Sequence, residues 1–180
     1  MVKYWLLLAA LAGAAHADPE TDRAMFGFRF GAGVIPLEHR QAATLSLGLS
    51  AEHQIAPRWR VLGEYEWVWL GHDATGTMPE LRGDGSRAHV GVRRRLGEKR
   101  WYEMAIYADA DLGIGFMLAN DNMTGMQALP DAFAGVHVGY AERTFRHASP
   151  SKAFEADLFV RVLALTDGAG FVGGMGMAWQ

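Results

Sequence analysis

Residues 59–70 alternate between apolar and polar side chains, and this alternation predicts a β-strand with two unlike faces. One parity carries Trp59, Val61, Gly63, Tyr65, Trp67 and Trp69, and the other carries Arg60, Leu62, Glu64, Glu66, Val68 and Leu70. Successive side chains of a strand point to opposite faces, whereas a helix would scatter the two glutamates among the aromatic rings. The aromatic face is too large to leave in water, and the charged face cannot be buried unless its charges are paired. A transmembrane β-barrel satisfies both demands, because lipid surrounds it and its interior is polar.

Seven further segments alternate in the same way. They lie at about residues 25–35, 43–54, 87–96, 101–118, 132–143, 154–165 and 169–180. The connections after the second and fourth segments are short, whereas residues 72–86 and 120–131 form long ones. Short periplasmic turns and longer outer loops are typical of outer-membrane barrels. We therefore expect an all-β fold, an eight-stranded antiparallel up-and-down transmembrane β-barrel, which binds an unidentified surface ligand through loops 72–86 and 120–131.

The first 17 residues have the features of a secretory signal peptide. Lys3 supplies the positive start, an apolar run follows, and Ala15-His16-Ala17 forms a small-x-small cleavage site. The apolar run is too short to cross a hydrocarbon layer of about 30 Å. We expect a signal peptide at residues 1–17, one barrel domain at residues 18–180, and location in the bacterial outer membrane.

Composition narrows the classes of function. The chain has no cysteine, so no disulfide framework is expected, and its formal net charge of −3 does not favour a nucleic-acid partner. No segment after the signal approaches about 20 continuous apolar residues, which excludes a helical membrane protein.

The interior of an eight-stranded barrel is just wide enough to be filled by side chains. We therefore expect the charged parity to plug the interior with ion pairs and to leave no wide pore. This interior charge network comprises Arg29, Glu52, Arg60, Glu64, Glu66, Arg87, His89, Arg93, Arg95, Glu103, Asp109, Asp111, Arg143, Glu155, Asp157 and Arg161. A cation-conducting or metal-binding role is the alternative, but the two carboxylates Asp109 and Asp111 without further ligands specify little. We expect no cofactor and no metal.

Partners on neighbouring strands must share a face, and this constraint predicts a register. A short turn around residues 98–100 pairs Gly97 with Trp101. The ion pairs that follow are Arg95 opposite Glu103, His89 opposite Asp109 and Arg87 opposite Asp111. The other turns place Glu52 opposite Arg60 and Arg143 opposite Glu155.

Large aromatic residues of the apolar parity fall near the ends of the strands. Phe26, Trp59, Tyr102, Tyr140, Phe154 and Trp179 belong to the inner end, and Trp67, Trp69, Phe116 and Phe171 belong to the outer end. Two aromatic girdles are typical of barrels that contact membrane lipid at both interfaces. A secreted lipocalin-like barrel that binds a small ligand remains an alternative, because its strands also alternate, with the apolar face inward.

The last strand carries Phe171, Met175, Met177 and Trp179 on one parity. In this pattern the chain resembles the small eight-stranded outer-membrane barrels, such as the OmpA transmembrane domain, OmpX and the opacity-type proteins. The resemblance implies a monomer that the barrel-assembly machinery recognises by its last strand. It also implies a structural, adhesion or surface-interaction role.

His147-Ala148-Ser149, followed by Glu155, forms a second motif. It resembles the His-x-Ser and Glu of the outer-membrane lipid A 3-O-deacylases, which would make Ser149 the nucleophile, His147 the base and Glu155 its orienting partner. The strand count places this motif after the sixth strand, on the periplasmic side, whereas the triad of that family lies on the outer-leaflet side. A polar turn ended by Pro150 is the alternative, and we expect no enzyme.

Overall fold

A computed structural model describes residues 24–37, 40–72, 81–102, 104–122, 125–144 and 152–180. The strands are β1 (Ala24–Leu37), β2 (Arg40–Ala56), β3 (Trp59–His72), β4 (Leu81–Trp101), β5 (Met104–Asp121), β6 (Gly125–Thr144), β7 (Lys152–Leu165) and β8 (Gly168–Trp179). Each strand pairs antiparallel with the next, and β1 pairs with β8, which closes the barrel and confirms the predicted fold class. Within these ranges there is no helix of the length and apolarity needed to cross a membrane. The predicted signal peptide lies outside the described residues.

The strands are staggered around the barrel. Starting from Trp59, we move from each residue to its register partner on the next strand until the path returns to β3. It returns at Trp69, ten residues further along the same strand. At about 3.3 Å per residue this is about 33 Å along the strand. For a strand tilted by about 40° it is about 25 Å along the barrel axis. We call the end where β1 begins and β8 ends the terminal end, and the opposite end the loop end.

The two faces of the sheet have opposite character, as the alternation predicts. Apolar side chains of the outward parity are exposed all round the barrel, for example Ile114 (66%), Val138 (59%) and Leu158 (66%). Charged side chains of the inward parity, such as Arg29 and Asp109, are buried. This arrangement is incompatible with a lipocalin-like barrel, in which the apolar face would line the interior.

Several strands are longer than the sequence pattern predicts. β4 begins at Leu81 and pairs with the end of β3, and β6 begins at Gly125 and pairs with the end of β5. The prediction that 72–86 and 120–131 are loops throughout is therefore wrong for residues 72, 81–86, 120–121 and 125–131. Glycine and aspartate at positions 83–85 resemble a loop in composition, but their backbone groups are paired on both sides. Residues 73–80 and 123–124 lie outside the described residues.

The predicted register between β4 and β5 is wrong. Arg95 pairs with Asp109 rather than with Glu103, and Trp101 pairs with Met104. The shift arises because the turn lies between Trp101 and Met104 rather than around residues 98–100, and a bulge reduces it by one residue. The connection is a tight turn in which Tyr102 has a φ of 54°, and a β-bulge lies between Arg95 and Gly97. A bulge adds one residue to one strand, so pairs cannot be counted from the turn through it.

The other predicted pairs of β4 with β5 fail for the same reason. His89 lies opposite Gly115 and Arg87 opposite Met117, in place of Asp109 and Asp111. Beyond the bulge, each observed partner on β5 is an even number of residues away from the predicted one. The residues predicted to point inward therefore still point inward.

Two further predicted pairs are displaced by two residues. Arg60 pairs with Gln54 rather than with Glu52, because the turn lies between Ala56 and Trp59 instead of being centred at Ala56; the bulge between Gln54 and Ala56 reduces this shift by one residue. Arg143 pairs with Ala153, so it does not lie opposite Glu155. This connection is centred one residue earlier than the prediction assumed.

Candidate functional site

The lumen is the candidate site, and its terminal end is closed by ion pairs. Arg60 forms a bidentate pair with Glu155, with N–O distances of 2.6 and 2.7 Å, and also contacts Glu52 at 3.3 Å. Arg95 donates to Asp109 at 2.5 Å and to Glu155 at 3.4 Å. The predicted contact of Arg60 with Glu52 therefore exists, although the two residues are not register partners. Bidentate arginine–carboxylate pairs hold a fixed geometry and leave little room for an ion to pass.

Arg161 connects two carboxylates in the middle of the lumen. Its guanidinium bonds both oxygens of Glu64, one of them at 3.0 Å, and contacts Asp111 from two of its nitrogens. Arg29 approaches Glu64 from another side, with an Nε–Oε1 distance of 2.8 Å. The Arg161 guanidinium also lies 4.5 Å from the ring centre of Phe133. All five side chains are buried, so each charge depends on its partners rather than on water.

His137 lies between two carboxylates in the same layer. Its Nε2 is 2.7 Å from Asp111 and its Nδ1 is 3.0 Å from Asp157. Ionised carboxylates only accept hydrogen bonds, so both ring nitrogens must donate. With both aspartates ionised, the ring is therefore a doubly protonated imidazolium and a cation of the network. It lies next to Arg93, which contacts both aspartates at 3.7 and 3.6 Å.

Asp131 is a member of the network that the sequence analysis missed. Its carboxylate accepts from His89 at 2.9 Å and pairs with Arg87 at 3.4 Å, and Arg87 in turn contacts Glu66 at 3.3 Å. The prediction placed this aspartate at the end of a loop, whereas it lies on β6 with an inward side chain. Asp131 has the same odd-numbered parity as Gly135 and His137 on β6. This parity was the signal in the sequence that its side chain points inward.

An apolar layer fills the lumen at the loop end, and the sequence analysis did not predict it. Its buried members include Ile35, Leu37, Ala42, Val68, Leu70, Leu81, Met117, Ala119, Leu163 and Leu165. The signal was present in β3, where the inward parity changes from Glu66 to Val68 and Leu70. Two kinds of side chain therefore fill the described lumen. Paired charges occupy most of its length, and packed apolar side chains occupy the loop end.

Glycine on the adjacent strand makes room for some of these side chains. A Cβ at Gly135 would lie 2.5 Å from Cγ of Arg161, and a Cβ at Gly176 would lie 2.6 Å from the Asp157 carboxylate. A cavity beside Arg29 and Arg93 is no larger than one water molecule. The predicted crowding of the interior is thus confirmed.

The aromatic residues of the terminal end form a ring on the outer surface. Phe26 and Phe154 are both register partners of Trp179, and Trp59 lies at the start of β3 at this same end. Tyr140 is half-buried and bonds Glu142. Tyr102 departs from the prediction, because it lies fully exposed at the tip of the β4–β5 turn, beyond the ring.

The second aromatic group lies toward the loop end. Trp67, Trp69, Phe116 and Phe171 are all exposed on the outward face. Apart from Tyr102, the residues of both predicted groups therefore lie on the outward face.

The residues of the predicted deacylase motif are not brought together by any described contact. Glu155 lies in the lumen, where it binds Arg60 and Arg95. His147 and Ser149 lie outside the described residues, and so do Glu103 and the side chain of Arg143. In the described ranges no group of three or more histidine and acidic side chains has an arrangement that could hold a metal ion.

Neither a protein-family model nor a curated protein sequence matches the chain. Solved structures do match. Neisserial surface protein A superposes with a TM-score of 0.54 at 11% identity, over 86% of this chain and 95% of that protein. The attachment invasion locus protein Ail of Yersinia pestis gives a TM-score of 0.45 at 13% identity, over 88% of this chain and 97% of that protein. At such identities the similarity concerns the fold alone. The closed antiparallel sheet, its charged interior and the match to the neisserial protein together show that this chain has the fold of the small eight-stranded outer-membrane barrels.

Proposed function

We propose that the chain spans the bacterial outer membrane as a monomeric barrel with a closed lumen. Its role in this proposal is structural, adhesive or otherwise one of surface interaction, and it is not enzymatic. The observation that carries the proposal is the exposed apolar surface around a lumen of buried charges. Such a surface is unstable in water and stable in hydrocarbon.

The height of the apolar surface supports this location. Trp59 and Trp69 mark the two aromatic groups on one strand, and the stagger places them about 25 Å apart along the axis. The apolar band of outer-membrane barrels is also about 25 Å tall. Between the two groups the outward side chains are apolar, for example Val61 and Tyr65.

The filled lumen argues for a role outside the barrel. With ion pairs at the terminal end and packed leucine, isoleucine and methionine side chains at the loop end, no described path leads through the molecule. Recognition is then left to the rim of the loop end, where β4, β5 and β6 are long. The neisserial protein that shares the fold is, by its name, a surface protein, which agrees with this role.

Export and assembly are part of the proposal. The first 17 residues would direct secretion and be removed. In β8 the side chains of Phe171, Met175, Met177 and Trp179 are all exposed on the outward face, where the barrel-assembly machinery could read them.

Membrane fractionation combined with heat-modifiable gel mobility tests the proposal. We expect the protein in the outer-membrane fraction, with a folded form that migrates differently until it is boiled. Recovery as a soluble periplasmic protein would contradict the proposal.

A substitution on the outward face sharpens the test. Val160 lies at mid-height and is 54% exposed, so Val160→Arg should destabilise the inserted barrel by about 2–4 kcal/mol. Tyr102→Arg, at the exposed tip of the β4–β5 turn, is the matched control and should have little effect. In a soluble barrel both substitutions would place a charge in water, and equal, small effects would refute the membrane assignment.

A further inference from the structure

Two basic side chains, Arg94 and Lys99, lie on the outward face at the terminal end of β4, and a third, Arg58, is exposed in the turn before β3. Arg94 has the same outward parity as Val90 and Val92, yet it is charged. Arg58 lies in the turn before β3, and its carbonyl accepts a hydrogen bond from the backbone of Arg95 at 2.8 Å. This bond holds Arg58 next to Arg94 across the two strands. Lys99 follows on β4 and is also exposed.

Two of these cations lie over indole rings. The Arg94 guanidinium is 5.4 Å from the centre of the Trp59 ring, and the Lys99 ammonium is 5.0 Å from that of Trp101. Both distances are within the range of cation–π contacts. A ring that supports a cation also restricts its motion, so less entropy is lost when an anion binds there.

The charge of this group is not neutralised within the described residues. No described carboxylate pairs with Arg58, Arg94 or Lys99, and the nearby Glu98 is already bonded to Arg95 and Arg100. Outward positions at the terminal end of β1, β5 and β8 are occupied by apolar residues, among them Phe26, Ile106 and Trp179.

We propose that Arg58, Arg94 and Lys99, with Trp59 and Trp101, form a binding site for the headgroup of an anionic phospholipid in the periplasmic leaflet. This site rests on the proposed function, which puts the terminal end of the barrel at that leaflet. The Trp59 ring would lie at the border of the hydrocarbon, and Arg94 would extend from the apolar face toward the phosphate. A headgroup with a net negative charge is favoured over a zwitterionic one, because the ammonium of the latter would meet the same cations.

Retention of lipid by the full mature barrel in neutral detergent, measured by native mass spectrometry, tests the site. The probes are phosphatidylglycerol and phosphatidylethanolamine with identical acyl chains. We expect the unaltered barrel to retain phosphatidylglycerol preferentially. Each basic side chain near an anionic membrane surface accounts for about a fivefold change in binding, so Arg94→Gln should lower the preference about fivefold and Arg58→Gln/Arg94→Gln further. Added salt should weaken the preference as well.

Arg82→Gln is the matched control, because it removes one exposed positive charge from the loop end of the same strand. It should leave the preference unchanged. Equal retention of both lipids by the unaltered barrel, or the same preference in Arg58→Gln/Arg94→Gln as in Arg82→Gln, would overturn the site while the barrel remains in the membrane. Heat-modifiable mobility of each variant shows that it is folded. Failure of the unaltered barrel to insert at all would overturn the proposed function, and this site with it.

Discussion

Replacing Arg161 by methionine should destabilise the barrel strongly, because this one side chain neutralises two buried carboxylates. It bonds both oxygens of Glu64 and one of Asp111, and all three side chains are inaccessible to water. Methionine retains most of the apolar contact with the Phe133 ring, so the loss is mainly electrostatic. Removing one partner of a buried ion pair costs about 3–5 kcal/mol. Glu64 retains Arg29 at 2.8 Å, which favours the lower part of this range.

A double-mutant cycle isolates the interaction. Without Arg161, the buried charge of Glu64 destabilises the folded barrel, so adding Glu64→Gln should restore part of the stability. We expect the double variant to be more stable than the sum of the single losses predicts, by about 1–3 kcal/mol. The contact of Arg161 with Asp111 is lost with and without Glu64, so it cancels and the cycle reports on the Arg161–Glu64 pair.

Urea unfolding of the refolded barrel in lipid vesicles, followed by tryptophan fluorescence and by heat-modifiable mobility, measures these changes. Leu158→Met is the control, because it introduces methionine on the same strand but on the outward face, and it should cost less than about 1.5 kcal/mol. A loss in Arg161→Met no larger than in this control would refute the reasoning. Strictly additive losses in the double variant would refute it too.

Three other outcomes follow from the filled lumen. Gly135→Ala should destabilise the barrel, because the new Cβ would lie 2.6 Å from the Asp111 carboxylate. Gly63→Ala is the control on the outward face, where a Cβ meets nothing within 4 Å, and it should be tolerated. Equal unfolding midpoints of the two variants would contradict this prediction. His137 should show two protonated ring nitrogens in ¹⁵N NMR spectra at neutral pH, and a neutral ring would mean that Asp111 or Asp157 carries the proton instead. In planar bilayers the purified barrel should give no large, long-lived current, and stable openings would show that the closure is mobile.

The sequence predicts the strands and their faces well, because alternation is a property of neighbouring residues. Glu64 and Glu66 had to point inward together wherever β3 lay in the barrel. The pairing of strands was not predictable in the same way. A bulge after Arg95 and another before Ala56 each move the register by one residue, and no residue type at those positions specifies them.

The loop end was the least predictable part of the fold and of the site. Residues 81–86 contain two glycines and several polar residues, and residues 125–131 contain a glycine and a proline, so both resemble loops. Residues 83–86 nevertheless pair with strands on both sides, and residues 125–131 pair with β5. Treating 125–131 as a loop removed Asp131 from the network. Val68 and Leu70 have the same parity as Glu64 and Glu66, so alternation alone does not separate the apolar layer from the charged one.

The failed register predictions also reveal what kind of network this is. The prediction sought partners on adjacent strands, but two bidentate pairs join β3 and β7: Arg60 with Glu155, and Arg161 with Glu64. These strands are four apart in a barrel of eight, and therefore face each other across the lumen. A hairpin of adjacent strands can form without such pairs, whereas a contact across the lumen requires a closed barrel. The ion pairs therefore stabilise closure in particular, and their loss should weaken the pairing of β1 with β8 before it weakens any hairpin.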